Sequence, residues 1–271
     1  MTPPSPSDTR GLIVDSHAHV FKLDMPLVPN PRHSPNYSFT ARQYLDVLDE
    51  HGVRFAVLAA ASPWGDCNDY MIETVRAHPR LRGTVILQPS VERAILDAMH
   101  ADGIVGVRLP FISMREPPDL DTWDWRKFLY RLRELDWHVH LHSEGARLPR
   151  YLPALERSGV KIVIDHIGRP DPATGVDGEG FAAMVASVQR GRTWVKMSGA
   201  YRVGPKATHY AQTLIGKVGC DRLVWGSDCP FVGEEGKVTY RQTMDWLVEA
   251  IPDEAQRRRV FGENALELYF S

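Results

Sequence analysis

Cysteine is scarce in this chain of 271 residues: Cys67, Cys220 and Cys229 are odd in number and lack the paired spacing of a zinc or redox motif. A disulfide framework is therefore excluded, and a reducing cytoplasm is the expected compartment. Long apolar runs are also missing. None approaches the roughly 20 residues that a membrane-spanning helix needs. The opening MTPPSPSDTR has neither the basic flank nor the apolar centre of a secretory signal, so residues 1–10 are expected to form a disordered leader. Neither charge sign is in excess: 32 Lys and Arg against 34 Asp and Glu leave a net charge of -2. Nothing electrostatic argues for nucleic acid or an anionic membrane as a partner. No GxGxxG follows an apolar run, which removes the phosphate turn of a dinucleotide-binding open sheet. No feature of the composition sets an oligomeric state.

An apolar share of 43% is ample for one large α/β domain. From residue 11 onward, short runs rich in β-branched residues alternate with segments of helical spacing. Strands are expected at 11–20, 54–60, 83–88, 103–111, 137–142, 160–167, 194–199 and 222–227. Helices are expected at 40–51, 69–78, 92–100, 123–135, 153–158, 181–189, 209–218 and 240–250. This alternation predicts a single-domain (β/α)8 barrel of the TIM type over residues 11–271, with a further helix in the tail 252–271. The longer connections, 21–39, 110–121, 170–180 and 230–237, each follow the C-terminal end of a strand, the face where barrel enzymes build their sites. Pro-rich 21–39 is the expected lid or substrate loop.

Residues able to do chemistry collect at those strand ends. Strand one carries His17 and His19, two residues apart and so on one face. Strand four carries Arg108, strand five the row His138, His140 and His142, and strand six Asp165 and His166. The end of strand seven and the residues after it carry Lys196 and Arg202, and strand eight ends at Asp228. Each has a bland reading, since Asp165 could cap a turn and the histidine row could be solvated. Polar groups at five or six strand ends together are harder to explain as packing, because barrel interiors favour Val, Ile and Leu. A shared site is the better reading.

The order of HxH, DHIGRP, WGSDCPF and the FGENA tail resembles the amidohydrolase superfamily over residues 12–270, and within it the branch of 2-pyrone-4,6-dicarboxylate lactonases. The resemblance implies a hydrolase of esters, amides or lactones on a (β/α)8 barrel. It assigns Asp228 as the base toward water, with His17, His19 and His166 around the scissile carbonyl. Arg108 and Arg202 match arginines that hold substrate carboxylates, Ser62 a carboxylate-binding serine, and Tyr37 a substrate-binding tyrosine. His140 is placed with the substrate from the strand-five row. The loop Ala61-Ser62-Pro63-Trp64 and the rich histidine row depart from the family pattern, and both bear on the substrate.

Typical superfamily members hold one or two divalent metals, whereas the lactonase branch acts without one. Strand four here offers Arg108 and no lysine or glutamate before Glu116, so a bridged binuclear centre is not expected. His17, His19, His140 or His142, and Asp228 have the ligand types for one Zn2+. The open readings are a metal-independent lactonase for a small anionic lactone, a mononuclear-metal lactonase and a zinc-dependent decarboxylase. A non-catalytic binder on a degenerate barrel stands behind them.

Overall fold

The computed structural model describes residues 12–271; the leader expected over residues 1–10 lies outside the described residues. Eight strands alternate with helices: β1 (Val14–Ala18), α1 (Ala41–Glu50), β2 (Phe55–Ala59), α2 (Asp69–Ala77), β3 (Leu81–Val85), α3 (Arg93–Ala101), β4 (Ile104–Leu109), α4 (Trp123–Glu134), β5 (His138–Leu141), α5 (Leu148–Ser158), β6 (Lys161–Ile164), α6 (Glu179–Gln189), β7 (Thr193–Met197), a one-turn α7 (Ala200–Val203), α8 (Ala207–Val218), β8 (Leu223–Trp225) and α9 (Tyr240–Ala250). The strands pair in sequence order, every neighbour parallel. This is the (β/α)8 barrel that the alternation predicts. Among the described residues no helix is long and apolar enough to cross a membrane.

Helix α1 shows how local sequence sets these boundaries. Thr40 accepts from the Gln43 amide while the Gln43 side chain returns to the Thr40 amide, a capping box, and the apolar Tyr44 and Leu48 lie on the buried face. Helix α9 starts the same way on Thr239 and Gln242. Helix α5 corrects the expected start at Pro153. It begins at Leu148 with Pro149 in the first turn, where no amide hydrogen is needed, and it carries Pro153 inside. The tail forms α10 (Glu254–Arg258), a π turn and α11 (Asn264–Tyr269). Ala265, Leu266 and Tyr269 pack with Val14, Val57, Val163 and Val224 and close the N-terminal end of the barrel. Asn264 secures that plug by donating to the carbonyls of Cys220 and Leu223, both at 2.7 Å.

The seam between β8 and β1 positions the site. Because β8 is only three residues long, the ring closes beyond it. Asp228 N donates to His17 O (2.7 Å) and His19 N to Cys229 O (2.8 Å). The buried Asp15 carboxylate fastens the same seam. It accepts from Ser227 N (2.8 Å), Ser227 Oγ (2.6 Å), His17 N (3.1 Å), Tyr44 Oη (2.9 Å) and Tyr240 Oη (2.9 Å). Gly226 makes the close approach possible, since a Cβ there would stand 2.7 Å from His17 Cβ.

Candidate active site

Strand β6 stops at Ile164, earlier than the expected Ile167, because the chain turns left-handed there. His166, Ile167, Gly168 and Arg169 all have positive φ, between 44° and 70°. For a β-branched residue such as Ile167 this conformation is a genuine outlier. Strain of this kind costs about 1–3 kcal/mol per residue and persists where the surroundings over-determine it. The turn aims the His166 ring at Asp228, itself at φ 67°. Gly199 leaves room for that ring: a Cβ there would meet His166 Nδ1 at 2.7 Å.

Asp228 is the centre of the arrangement. Its Oδ1 lies 3.6 Å from His17 Nε2 and 3.5 Å from His19 Nε2, and its Oδ2 lies 4.0 Å from His166 Nε2. Oδ2 also accepts from Arg202 Nε (2.5 Å) and Tyr201 Oη (2.6 Å). Burial works to raise this carboxyl, but the Arg202 guanidinium and the surrounding histidines hold it well below the usual range. Asp228 is thus a carboxylate at any ordinary pH.

Behind the histidines lies a second buried layer. Asp165 receives Arg108 Nε on Oδ2 (3.1 Å), and its Oδ1 lies 3.2 Å from Lys196 Nζ. Burial opposes its ionisation, yet the Lys196 ammonium and the Arg108 guanidinium keep it ionised. Lys196 Nζ also meets Nδ1 of His17 (2.7 Å) and Nδ1 of His140 (2.9 Å). Arg108 gives Nη1 to Ala60 O (3.0 Å) and Nη2 to His142 Nδ1 (3.0 Å). A guanidinium can only donate, so His142 Nδ1 accepts and His142 Nε2 carries the proton. That buried Nε2 has no partner, and neither has His17 Nε2. Burial, reinforced by the Lys196 ammonium for His17 and by Arg108 for His142, holds both imidazoles neutral.

These groups open onto a cleft of about 420 Å³. His19, Ser62, Arg108, His166, Arg202 and Asp228, six of the residues singled out from the sequence, line it, and His17 stands against Asp228 at its base. Two expectations need correction. His140 does not reach the cleft: it sits one step lower on β5, fully buried against Lys196, and His142 takes the lining position. Same-face periodicity along a strand says nothing of depth. Tyr37 lies outside the wall, donating to Glu235 Oε1 (3.0 Å) and packing on Phe21. The expected lid contributes Arg32 and His33 instead, and its base is held by paired bonds between Phe21 and Phe39 (2.9 Å each).

Sequence reasoning left Lys196, Arg32 and Arg169 without a role. A lysine inside the strand Trp194-Val195-Lys196-Met197 was the available signal, because lysine is almost never buried unless paired. Arg32 and Arg169 make no ion pair with any carboxylate among the described residues, and Arg169 Nη1 is a buried donor without a partner. Burial lowers the affinity of both for their proton, and the two guanidiniums and Arg202 repel one another.

Two groups have metal-ligand types within reach of a common point: His17, His166 and Asp228, and His17, His140 and Asp165. The second is filled by the Lys196 ammonium, which touches all three members. In the first, Arg202 and Tyr201 already occupy Asp228 Oδ2, and His17 is backed by the same ammonium. The donors do not fit a divalent cation.

The sequence of residues 14–270 matches the family model described as amidohydrolase. A 4-sulfomuconolactone hydrolase from Hydrogenophaga intermedia is 28% identical, over 94% of this chain and 88% of that one. A 2-pyrone-4,6-dicarboxylate hydrolase from Comamonas testosteroni is 26% identical, over 95% and 90%. Among solved structures, a probable 2-pyrone-4,6-dicarboxylic acid hydrolase from Acinetobacter baumannii, with citric acid bound, superposes with a TM-score of 0.90 at 31% identity, covering 96% of this chain and 99% of that one. With its barrel, its strand-end histidines and its strand-eight aspartate, the chain belongs to the amidohydrolase family.

Proposed function

We propose that this protein is a lactonase: it opens a small lactone bearing at least two anionic groups, of the 2-pyrone-4,6-dicarboxylate type, with Asp228 as base and without a metal. One observation carries the reading. A buried, ionised carboxylate faces unpartnered N–H donors in a cleft ringed by guanidiniums. The free cations Arg32 and Arg169, with Arg202 and the spare donors of Arg108, suit carboxylate or sulfonate groups, which guanidiniums bind through paired hydrogen bonds. Relatives named for a pyrone dicarboxylate and a sulfomuconolactone, and a neighbour holding citric acid, support that substrate class.

The chemistry follows from the proton positions. His19 Nδ1 donates to Ala59 O at 2.7 Å, so a neutral His19 turns a bare Nε2 toward Asp228. A water between them gives one hydrogen to each acceptor, and its oxygen attacks the lactone carbonyl as Asp228 takes the proton. The developing oxyanion takes the Nε2–H of His142 and of His17, donors placed before charge appears. The ring C–O bond then breaks, and Asp228 returns its proton to the leaving oxygen. His19 therefore serves the water side, a change from its expected place on the carbonyl. The competing zinc-dependent decarboxylation and mononuclear-metal lactonase readings ask for a metal site that these residues do not fit. Three free cysteines are consistent with a cytoplasmic setting.

A panel of neutral, monoanionic and dianionic lactones, run with and without chelator on wild type and Asp228→Asn, tests the reading. Hydrolysis should favour dianions and survive chelation. Asp228→Asn should lose about 10²–10⁴-fold in kcat while still binding substrate. Equal turnover of neutral lactones, loss of activity on chelation, or an Asp228→Asn enzyme of near-wild-type rate overturns it.

A further inference from the structure

Lys196 has no place in the reaction described above, yet it is fully buried among groups that do. We propose that Lys196 is a positioning residue: its ammonium, anchored on Asp165, donates to Nδ1 of His17 and so holds that imidazole as an Nε2–H donor aimed into the cleft. The inference rests on the proposed hydrolysis only for what the donor acts upon; the proton placement stands by itself.

The geometry carries the assignment. Three acceptors surround Nζ: His17 Nδ1 at 2.7 Å, His140 Nδ1 at 2.9 Å and Asp165 Oδ1 at 3.2 Å. An ammonium donates to both rings, pairs by charge with Asp165, whose Oδ1 accepts no hydrogen bond, and has no lone pair left over. The far sides agree. With Nδ1 accepting, His140 carries its proton on Nε2, which faces the Tyr269 hydroxyl at 3.4 Å. Arg108 imposes the same arrangement on His142 from a neighbouring strand. Two cations thus stand behind two imidazoles, and both imidazoles present an unpartnered Nε2 toward the site. Each carboxylate has its cation, since Arg108 and Lys196 share Asp165 while Arg202 faces Asp228. Burial lowers the Lys196 pKa to about 8, which leaves it an ammonium at neutral pH.

Removing the ammonium frees His17 to carry its proton on Nδ1, toward Asp165 Oδ1 at 3.5 Å. The donor facing the cleft is then lost, and a bare nitrogen takes its place. Arg32, Arg169 and Arg202 make no contact with Lys196, and Arg108 keeps its bond to Asp165, so the defect belongs in kcat.

The deciding measurement is nitrogen-15 NMR of histidine-labelled full-length protein, with the His17 ring assigned by its loss in His17→Gln. The proposal requires a protonated Nε2 and an unprotonated Nδ1 in wild type. A protonated Nδ1 overturns it, whatever the substrate proves to be. In Lys196→Met the His17 ring should shift to the other tautomer, with kcat down about 10–100-fold, the usual loss for a residue that orients a reacting ligand, and KM within about threefold. Lys196→Gln, which keeps an N–H donor, should recover part of the rate. A Lys196→Met enzyme with wild-type kcat, or one changed in KM alone, overturns the positioning role. Correct tautomers in a protein that opens no lactone would refute the proposed function and leave this assignment standing.

Discussion

Arg202→Met separates the two roles of the arginine that grips the base. Arg202 Nε stands 2.5 Å from Asp228 Oδ2, with the side chains 14% and 2% exposed, so the pair is largely out of water. At an effective dielectric of about 20, unit charges about 4 Å apart attract by about 4 kcal/mol, equivalent to about three pK units. Without the guanidinium, burial governs Asp228 and its pKa rises from well below the carboxylate range to above its unfolded value. The stability signs are then opposite. In wild type the folded pKa lies below the unfolded one, so Asp228 contributes stability above the carboxylate range that is lost as pH falls through the folded value. In Arg202→Met the folded pKa lies above the unfolded one, so on going from acid to neutral pH stability is greatest in acid and falls as pH rises through the folded value. At about pH 7 an unpartnered buried carboxylate costs about 3–5 kcal/mol, toward the lower end because Tyr201 still donates to it. Urea unfolding of both proteins across that range, beside pH profiles of kcat/KM, makes the measurement. Wild type should show no acid limb above about pH 4, and the variant should show one, with a raised KM. An unmoved limb, or the same destabilisation at both ends of the pH range, would refute the reasoning.

Two further predictions concern the buried polar layers. Asp15→Ala leaves two backbone amides and three hydroxyls at the seam without their acceptor, at about 1–3 kcal/mol for each orphaned amide; a loss of at least about 3 kcal/mol by chemical unfolding is expected, Asp15→Asn should lose less, and an Ala variant within about 1 kcal/mol of wild type contradicts the account. Lys196 has a folded pKa of about 8, below its unfolded value, so its burial cost is fully present below about pH 8 and relieved as pH rises toward about 10.4. Stability of wild type relative to Lys196→Met should climb across that window, and a flat difference shows that the group is not buried as a cation.

The fold was legible because barrel strands announce themselves twice, as short β-branched runs and as the places where helical spacing stops. Boundaries were blurred where backbone geometry departs from any propensity. No pattern in Ile164-Asp165-His166-Ile167 reveals that the strand ends in a left-handed turn, since Ile167 favours a strand locally and is overruled by packing. At the site, motif residues that touch the cleft were recoverable from their strand-end positions. His140 stands below the cleft because periodicity reports which way a side chain faces and gives no depth along the barrel axis, while Tyr37 was placed by resemblance in a loop whose path no spacing fixes. Lys196 and Arg169 went unassigned because their meaning lies in partners that are distant in sequence: Lys196 and His17 are 179 positions apart.

The seam that closes the barrel is also the mount for the base, and this shapes how the molecule can move. The amide hydrogens of Ser227, Asp228 and His19 are all spent on joining the ends of the ring. They can exchange with solvent only when the ring itself parts, so they belong to the slowest-exchanging set in the protein. The connection from Phe21 to Phe39 is the contrasting wall: it is tied only at its base and brings Arg32 and His33 to the cleft. The reacting groups thus stand on a floor that the barrel's own closure holds fixed.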